Sequence, residues 1–350
     1  MKIVAQNQDV AMGIDVAAKH LAITMLVEGE VVTQTTIRHN RAAIESFLSR
    51  FPDCRIRAVY EAGCFGYWLC DTLRELGVMA IVTPPSLLAR APGAKVKTDR
   101  RDSLLLAEQL ASGRLKAVAV PSKEERAARQ LVRTYDQVKR TRKQTMTRIR
   151  SFLMLHHIEA PKTIGKAWTR RYVEWLDGLT FEEMPGGEYL RRSLQALLGT
   201  YRGLTEEATA LKKEIGRLAK TKKYEKAVTV LEATPGVGTL SAMIVLTEVR
   251  NARRFPTSQE FASNLGLTPW EHSTGEQQHR GHITKAGNRH IRAVLVECAW
   301  TWIRYDKAAY AVFRRIARRR EAKRAIVAMA RRLAVKIYWQ LRGIRFGEVA

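Results

Sequence analysis

Five short apolar segments in the first 120 residues constrain the fold of this chain more than any other feature. Three of them follow one another with only short turns between them, and the last two alternate with segments of helical periodicity. The predicted strands are residues 10–16, 21–27, 31–37, 56–61 and 78–82. The predicted helices are residues 41–51, 67–76 and 103–112. This pattern predicts an α/β domain over residues 1–120.

The order of these elements, three strands and then alternating helix and strand, is that of a ribonuclease-H-like fold. Residues 121–225 then contain two long, charge-rich segments of helical periodicity, and a capping box at Ser122 and Glu125 begins the first. They predict a helical hairpin or coiled coil, with an ordinary helical layer packed on the first domain as the alternative. Residues 226–350 predict a third, mostly helical domain. The predicted fold class is therefore α/β plus α.

Basic residues are spread over the whole chain. Lys and Arg number 60 against 34 Asp and Glu, which gives a formal net charge of +26 over 350 residues. A basic body, in contrast to a basic tail, indicates a large phosphate-contacting surface. The sequence offers no segment of membrane-spanning length and no aromatic-faced amphipathic anchor, so no membrane partner is expected. The expected location is the cytoplasm.

Four carboxylates stand out against this positive charge. Asp15 lies one residue before the end of the first predicted strand and Glu61 ends the fourth, whereas Asp99 and Asp102 are three residues apart, on one helical face. In an open α/β sheet, ligands collect at such strand ends. Carboxylates gathered there could hold two Mg²⁺ or Mn²⁺ ions about 3.5–4 Å apart for phosphoryl transfer. For the pair at 99 and 102, the alternative is simple ion pairing with the basic residues that flank them.

A second constellation, between residues 266 and 292, combines glycines, hydroxyls, imidazoles and cations, and includes Ser273 and Thr274. A serine in a polar, glycine-bounded loop is free to approach a phosphorus atom. Three cations could neutralise the charge of the pentacovalent state: Lys285, Arg289 and Arg292. From the residues alone, a helix-capping or turn pair is the commoner role of a Ser-Thr dipeptide.

With these residues in this order, the chain resembles the DEDD-type insertion-sequence transposases related to the Piv DNA invertase, the one-ten group with its eleven-eleven subgroup. The resemblance covers nearly the whole chain. The motifs that carry it are Gly13-Ile-Asp15, Tyr60-Glu61-Ala-Gly63, Lys97-Thr-Asp99-Arg-Arg-Asp102, Pro235-Gly-Val-Gly238, Phe261-Ala-Ser-Asn-Leu-Gly266-Leu-Thr-Pro269 and Ile283-Thr-Lys-Ala-Gly287-Asn288. Each motif is modest alone, but the ordered set is specific.

The resemblance implies an N-terminal RuvC-like domain whose acidic tetrad is Asp15, Glu61, Asp99 and Asp102. It also implies a coiled-coil insertion and a C-terminal transposase domain with a nucleophilic serine. Such enzymes cut and rejoin target and donor DNA through a covalent 5′-phosphoserine link, guided by a structured bridge RNA. The resemblance further implies homodimers that pair into tetramers, with the acids and the serine from different protomers, and a bacterial, nucleoid-associated location.

Ser273 is the predicted nucleophile, and Thr274 is the alternative. Some relatives have Glu-Ser-Gly where this chain has Ser273-Thr274-Gly275, so an ungapped match favours Thr274. Others have His-Ser-Thr-Gly or His-Ser-Ser-Gly, which favours Ser273. A primary hydroxyl also attacks a crowded phosphate more easily than a β-branched secondary one.

Three other functions fit part of the sequence. A metal-dependent junction resolvase or nuclease would use the acids alone, but it leaves residues 226–350 without a purpose. An actin-like ATPase also opens with Gly-Ile-Asp, but it needs a Gly/Thr-rich phosphate loop that residues 16–20 do not supply. A non-catalytic RNA-binding protein would tolerate loss of the carboxylate at Asp15.

Overall fold

The chain forms two compact units, Met1–Pro121 and Ser122–Ala350. The structure, a computed structural model, describes residues 8–85, 88, 98–271 and 280–344. The first unit contains the predicted α/β region, and the second contains the helical remainder. The further predicted division at residue 225 stays a prediction.

The first unit is built on a five-stranded sheet. Its strands are β1 (Asp9–Val16), β2 (His20–Val27), β3 (Glu30–Arg38), β4 (Arg55–Glu61) and β5 (Met79–Thr83). They lie in the order β3-β2-β1-β4-β5, with β1 antiparallel to β2 and parallel to β4. The five predicted strands are confirmed, with ends that differ by one residue. A mixed sheet in this order is consistent with the predicted ribonuclease-H-like fold.

Helices cover both faces of this sheet. They are α1 (Arg41–Leu48), α2 (Trp68–Glu75) and α3 (Asp99–Ala111). Because side chains alternate along a strand, β1 contributes to two cores. Met12 and Ile14 pack with residues of α1 and α2, whereas Ala11, on the opposite face, packs with Leu106 and Leu110 of α3.

Helix α3 begins four residues before its predicted start. Thr98 caps it, and its hydroxyl accepts a hydrogen bond from the Arg101 amide at 3.3 Å. Asp99 and Asp102 then occupy the first turn, where the positive end of the helix favours negative charge. The sequence prediction followed the apolar period, which starts only beyond this acidic turn.

In its described residues, 122–271 and 280–344, the second unit is helical apart from one short hairpin. Its helices are α4 (Lys123–Leu155), α5 (Arg170–Asp177), α6 (Gly187–Ala219), α7 (Glu225–Glu232), α8 (Thr239–Val249), α9 (Ser258–Asn264), α10 (Arg289–Tyr305), α11 (Lys307–Ala317) and α12 (Ala322–Arg342). The hairpin strands are β6 (Pro269–Glu271) and β7 (Arg280–Ile283). None of the helices in the described part of the chain has the length and apolar character that crossing a membrane requires.

The two long predicted helices are confirmed as α4 and α6, which pack side by side. The predicted capping box is also present: the Glu125 amide donates to Ser122 Oγ at 3.1 Å, and the Ser122 amide donates to Glu125 Oε2 at 3.0 Å. One end of the pair joins the main core of the unit through Val132 and Ile215. The other end has a separate small core that includes Ile149 and Leu194.

Candidate active site

Asp15 and Glu61 lie at the carboxyl ends of two neighbouring parallel strands, β1 and β4, at the same end of the sheet. The pairing of β1 with β4 runs up to Ile14 beside Tyr60, and the two acids are the next residue of each strand. Ile14 and Tyr60 are buried on the α1–α2 face. By alternation, the side chains of Asp15 and Glu61 therefore lie on the α3 face, where both are half-buried.

Gly13 brings the first turn of α3 close to these strand ends. A Cβ atom on Gly13 would lie 2.1 Å from the Ser103 carbonyl oxygen and 2.4 Å from the Ala107 amide nitrogen, so the helix backbone rests directly on β1. The last turn of α3 lies toward the start of β1, since Ala111 and Asp9 line one cavity. The first turn of α3 is therefore directed toward the end of β1. The structure thus brings all four predicted acids to one corner of the first unit.

Buried polar side chains fix the first turn of α3 on the sheet. The hydroxyls of Thr24 and Ser103 are 2.8 Å apart, and Gln34 Nε2 donates to Thr24 Oγ1 at 3.0 Å. The same amide donates to the Arg100 carbonyl at 2.9 Å, and Arg100 Nε donates to Gln34 Oε1. Because these bonds join β2 to Ser103 and β3 to Arg100, they position the acidic turn that contains Asp99 and Asp102.

The four acids share this corner without forming a compact cluster. No group of three His, Cys, Asp or Glu side chains close enough to hold a metal ion occurs among the described residues. Asp99 lies beside His20 instead, with Nε2 and Oδ2 3.3 Å apart and both side chains about half exposed. Carboxylates at ligand distance repel one another, whereas an imidazole can donate to a carboxylate. The oxygen donors match the chemistry of Mg²⁺ and Mn²⁺, and their role as ligands stays a prediction.

Replacing Gly13 with alanine is expected to destabilise the first unit by about 3 kcal/mol, because the new methyl group would clash with helix backbone that cannot rotate away. Urea denaturation with a probe in this unit measures the change. Gly199→Ala is the control, since a Cβ at that position in α6 meets nothing within 4 Å. It should be neutral or slightly stabilising, because alanine favours a helix. A Gly13→Ala protein as stable as the parent would contradict the packing described.

The predicted serine loop connects β6 and β7. These strands pair antiparallel, with Pro269 beside Ile283 and Glu271 beside Arg280. Ser273 and Thr274 lie outside the described residues, between the two strands. The described structure therefore shows the base of this loop and leaves the identity of the nucleophile a prediction.

The three predicted phosphate-binding cations differ in their surroundings. Lys285 and Arg289 are exposed, and Arg289 is the first residue of α10. Arg292 is half-buried, and its Nη1 donates to the Leu265 carbonyl at 2.8 Å, which fixes the chain ahead of β6 against α10. The role of all three in phosphate binding stays a prediction.

A buried carboxylate without a local sequence signal, Glu248, anchors the start of α10. Glu248 of α8 accepts bonds from Arg133 Nε at 2.6 Å, Arg133 Nη2 at 2.9 Å and Asn288 Nδ2 at 2.7 Å. The Asn288 side chain also accepts bonds from the amides of His290 and Ile291, at 3.0 and 3.2 Å, and so caps α10. The network spans 115 residues of sequence between Glu248 and Arg133, which is why no local pattern revealed it.

Glu248→Gln is expected to lower the free energy of unfolding of the second unit by about 2 kcal/mol, because a neutral amide cannot match the two charged hydrogen bonds that the buried carboxylate accepts from Arg133. Urea denaturation at neutral pH measures the loss. Glu297→Gln, at an exposed position on α10, is the matched control and should change little.

The stability lost in Glu248→Gln is expected to depend on pH. Burial raises the pKa of Glu248, but the hydrogen bonds and charge of Arg133 and the bond from Asn288 outweigh burial, so the pKa lies below its ordinary 4.5. A carboxyl with a lower pKa in the folded state stabilises the fold above the unfolded-state value and loses that effect as the pH falls through the folded-state value. The stability difference between parent and Glu248→Gln should therefore shrink below about pH 4.5. A difference that stays constant down to pH 3 would contradict the assignment.

Comparison with known proteins identifies the family. The family model described as Transposase IS116/IS110/IS902 family matches residues 228–314, and a DEDD transposase model named for IS110 matches residues 12–158. Putative transposase y4qE of Sinorhizobium fredii is 35% identical over 309 residues, which cover 86% of this chain and 74% of that protein. The transposase for insertion sequence element IS1533 of Leptospira borgpetersenii is 26% identical over 346 residues, which cover 97% of each chain. The transposase for insertion sequence element IS1111A of Coxiella burnetii is 25% identical over 339 residues, which cover 94% of this chain and 88% of that protein.

The first family model covers the segment that includes the β6–β7 hairpin, and the second covers the strands and helix that carry the four acids. The predicted metal-dependent chemistry of the acids agrees with this assignment, because a DEDD transposase domain uses divalent metal in general. The chain therefore belongs to the IS110 family of insertion-sequence transposases, which cleave and rejoin DNA.

Proposed function

We propose that this transposase cuts and rejoins DNA through a 5′-phosphoserine intermediate formed by Ser273, with the four acids as the metal-binding half of the same site. The observation that supports it best is the packing of α3 on Gly13, which directs Asp99 and Asp102 toward the strand ends at Asp15 and Glu61. Acids at strand ends in an otherwise basic chain suit phosphoryl transfer on a polyanion.

The proposed reaction conserves one phosphodiester bond at each step. The Ser273 oxygen attacks the scissile phosphorus and loses its proton, the bond from phosphorus to the 3′ oxygen breaks, and that oxygen leaves protonated as a 3′-hydroxyl. A 3′-hydroxyl from the other DNA then attacks the phosphoserine, which restores the phosphodiester and releases the serine hydroxyl. The sequence of steps therefore needs no external energy source.

In this proposal the acidic residues bind metal and the basic residues neutralise phosphate charge. Asp15, Glu61 and Asp102 would supply oxygen ligands, with Asp99 joining them when it leaves His20. Mg²⁺ or Mn²⁺, when bound, would polarise the phosphate and favour ionisation of the attacking hydroxyl. Lys285 and Arg289 are exposed near the base of the serine loop and would neutralise phosphate charge there.

We further propose that a structured non-coding RNA, as in the Piv-related group that the sequence resembles, selects the target and donor DNA. The net charge of +26 fits a protein that holds more than one nucleic acid. In this proposal, homodimers pair into tetramers, and the acids of one protomer act with the serine of another. Loss of RNA by nuclease treatment should then abolish recombination while leaving the protein folded.

The test of the intermediate uses the protein with the DNA of its own element and the co-purified RNA. After denaturation, the protein should stay attached to the 5′ end of cleaved DNA, and mass spectrometry of the digested adduct should locate the phosphodiester on Ser273. Cleaved DNA with free 5′-phosphates and no attached protein would instead indicate water as the nucleophile. In that case the chain would act as a metal-dependent nuclease or junction resolvase.

A further inference from the structure

We propose that Phe65 and Trp68 form a stacking platform for one unpaired base of the DNA strand that is being cut. The platform would hold this base out of the duplex beside the acidic corner. The inference rests on the proposed function, because it assigns a substrate contact at the site of strand cleavage.

The platform consists of two exposed aromatic side chains held by a histidine. The ring of His39 lies 5.6 Å from that of Phe65, nearly perpendicular to it, and 5.4 Å from that of Trp68. Phe65 is 40% exposed and Trp68 is 43% exposed, which leaves a large part of each aromatic ring open to solvent. The three side chains thus present adjoining aromatic surface to solvent.

The platform lies at the same end of the sheet as the acids. The His39 Nδ1 atom is 2.8 Å from the carbonyl oxygen of Ala17, two residues beyond Asp15. Phe65 follows Glu61 by four residues, in the loop between β4 and α2. The loops that follow the two acid-bearing strands therefore meet at His39.

The loop that carries Phe65 is anchored to the buried core by Tyr60 of β4. The buried Tyr60, the residue before Glu61, donates its hydroxyl hydrogen to the Gly66 carbonyl at 3.1 Å. Trp68 is the first residue of α2, whose next two residues, Leu69 and Cys70, are buried in the core. Since the backbone at both positions is fixed, the rings are presented on a preorganised surface.

A nucleobase is the occupant that this surface fits. Every base has a flat face that stacks on an aromatic ring, and such stacking does not depend on the base identity. Two exposed cations, Lys19 and Arg38, lie next to His39: Arg38 precedes it in the chain, and the His39 amide donates to the Lys19 carbonyl. Their side chains can bind the phosphates on either side of the base. Because duplex DNA hides its base faces, the platform would take a base that has been unstacked at the cut site.

Unstacking a base would serve the chemistry at the neighbouring acids. When a nucleotide is turned out of the helix, the phosphate next to it becomes accessible. A nucleophile can then attack the phosphorus in line with the leaving oxygen. The cost of unpairing is a few kcal/mol, which stacking on an aromatic surface offsets in part. Phe65 and Trp68 would then be positioning residues for strand cleavage.

The decisive experiment is photo-crosslinking of the full-length protein to a single-stranded DNA 20-mer that contains 5-iododeoxyuridine, in EDTA so that no cleavage occurs. Irradiation joins the iodinated base to an aromatic ring stacked on it, and mass spectrometry locates the crosslink. We expect crosslinks at Phe65 or Trp68. Bound DNA that crosslinks only at other positions would overturn the proposal.

Variants provide an independent measurement. Trp68→Ala should weaken binding of a forked DNA by about 5-fold to 150-fold, the range for losing one stacked base. Trp68→Phe should retain most of the affinity, because a ring remains. Tyr189→Ala, which removes a 72% exposed ring from α6, is the matched control and should bind like the parent. Equal binding by the parent and Trp68→Ala would contradict the platform.

The crosslink separates this proposal from the proposed function. Asp15→Asn protein should crosslink at Phe65 or Trp68 as well as the parent does, because the platform needs no catalytic acid. If Asp15→Asn abolishes cleavage while neither ring crosslinks, the platform alone is wrong. If the rings crosslink while Asp15→Asn still cleaves, the metal site is wrong and the platform stands.

Discussion

Asp15→Asn is expected to reduce DNA strand cleavage by about 1,000-fold or more. The substitution keeps the size of the side chain and removes the negative charge that a divalent cation needs at the end of β1. Metal stabilisation of a phosphoryl transition state is worth several kcal/mol, and each 1.4 kcal/mol changes a rate about tenfold. The measurement is the rate of cleavage of the element's own DNA ends in Mg²⁺, with the RNA bound.

The matched control for this variant is Asp9→Asn at the opposite end of the same strand. Asp9 pairs with Arg55, 2.9 Å from Nε to Oδ1, with both side chains mostly exposed. Exposed ion pairs contribute little stability, so cleavage by Asp9→Asn should stay close to that of the parent. An Asp15→Asn protein that cleaves at the rate of Asp9→Asn would refute the metal-binding role of Asp15. Binding of DNA should change little in either variant, since each removes one negative charge from a chain with a net charge of +26.

Ser273→Ala is expected to abolish the covalent protein–DNA adduct and all strand rejoining. Alanine has no oxygen with which to form a bond to phosphorus, so the step has no nucleophile from the protein. The measurement is the amount of protein attached to labelled 5′ ends after denaturation. Binding of DNA and of the RNA should remain, because the substitution changes no charge.

Thr274→Ala is the control, and it also decides between the two hydroxyls. If Ser273 is the nucleophile, the adduct forms with Thr274→Ala protein and disappears only with Ser273→Ala protein. The reverse result would assign the reaction to Thr274. An adduct that persists when both substitutions are combined in one protein would exclude both residues and the serine chemistry proposed at this loop.

The strands and the long helices of this protein could be predicted because their signals are local. Short apolar runs marked β1 to β5, and the Ser122–Glu125 box marked the start of α4. Neither signal depends on distant parts of the chain. The start of α3 was missed because its first turn is charged, and the cap at Thr98 carries the signal there.

The residues proposed for the chemistry of the candidate site could also be predicted from the sequence. The long-range contacts that hold those residues in place could not. Asp15 and Glu61 end strands, and the ends of parallel neighbours meet wherever the sheet forms. The contact of Asp99 with His20, which are 79 residues apart, has no local sequence signal. The same holds for Glu248 and its partners Arg133 and Asn288, since each lies on a different element.

The sequence by itself predicted which residues do the proposed chemistry: four acids in a basic chain and a serine in a glycine-bounded loop. It also determined the strand and helix periods, which place two of the acids at strand ends. Only the tertiary structure decided how they are held. The need for glycine at position 13 follows only from the packing of α3 on β1, because the backbone of α3 lies 2.1 Å from where a Cβ atom of residue 13 would be. The aromatic pair at Phe65 and Trp68 likewise becomes a surface only when His39 packs against both rings. Local periodicity follows from neighbouring residues along the chain, whereas a site is made by contacts between segments that the fold alone brings together.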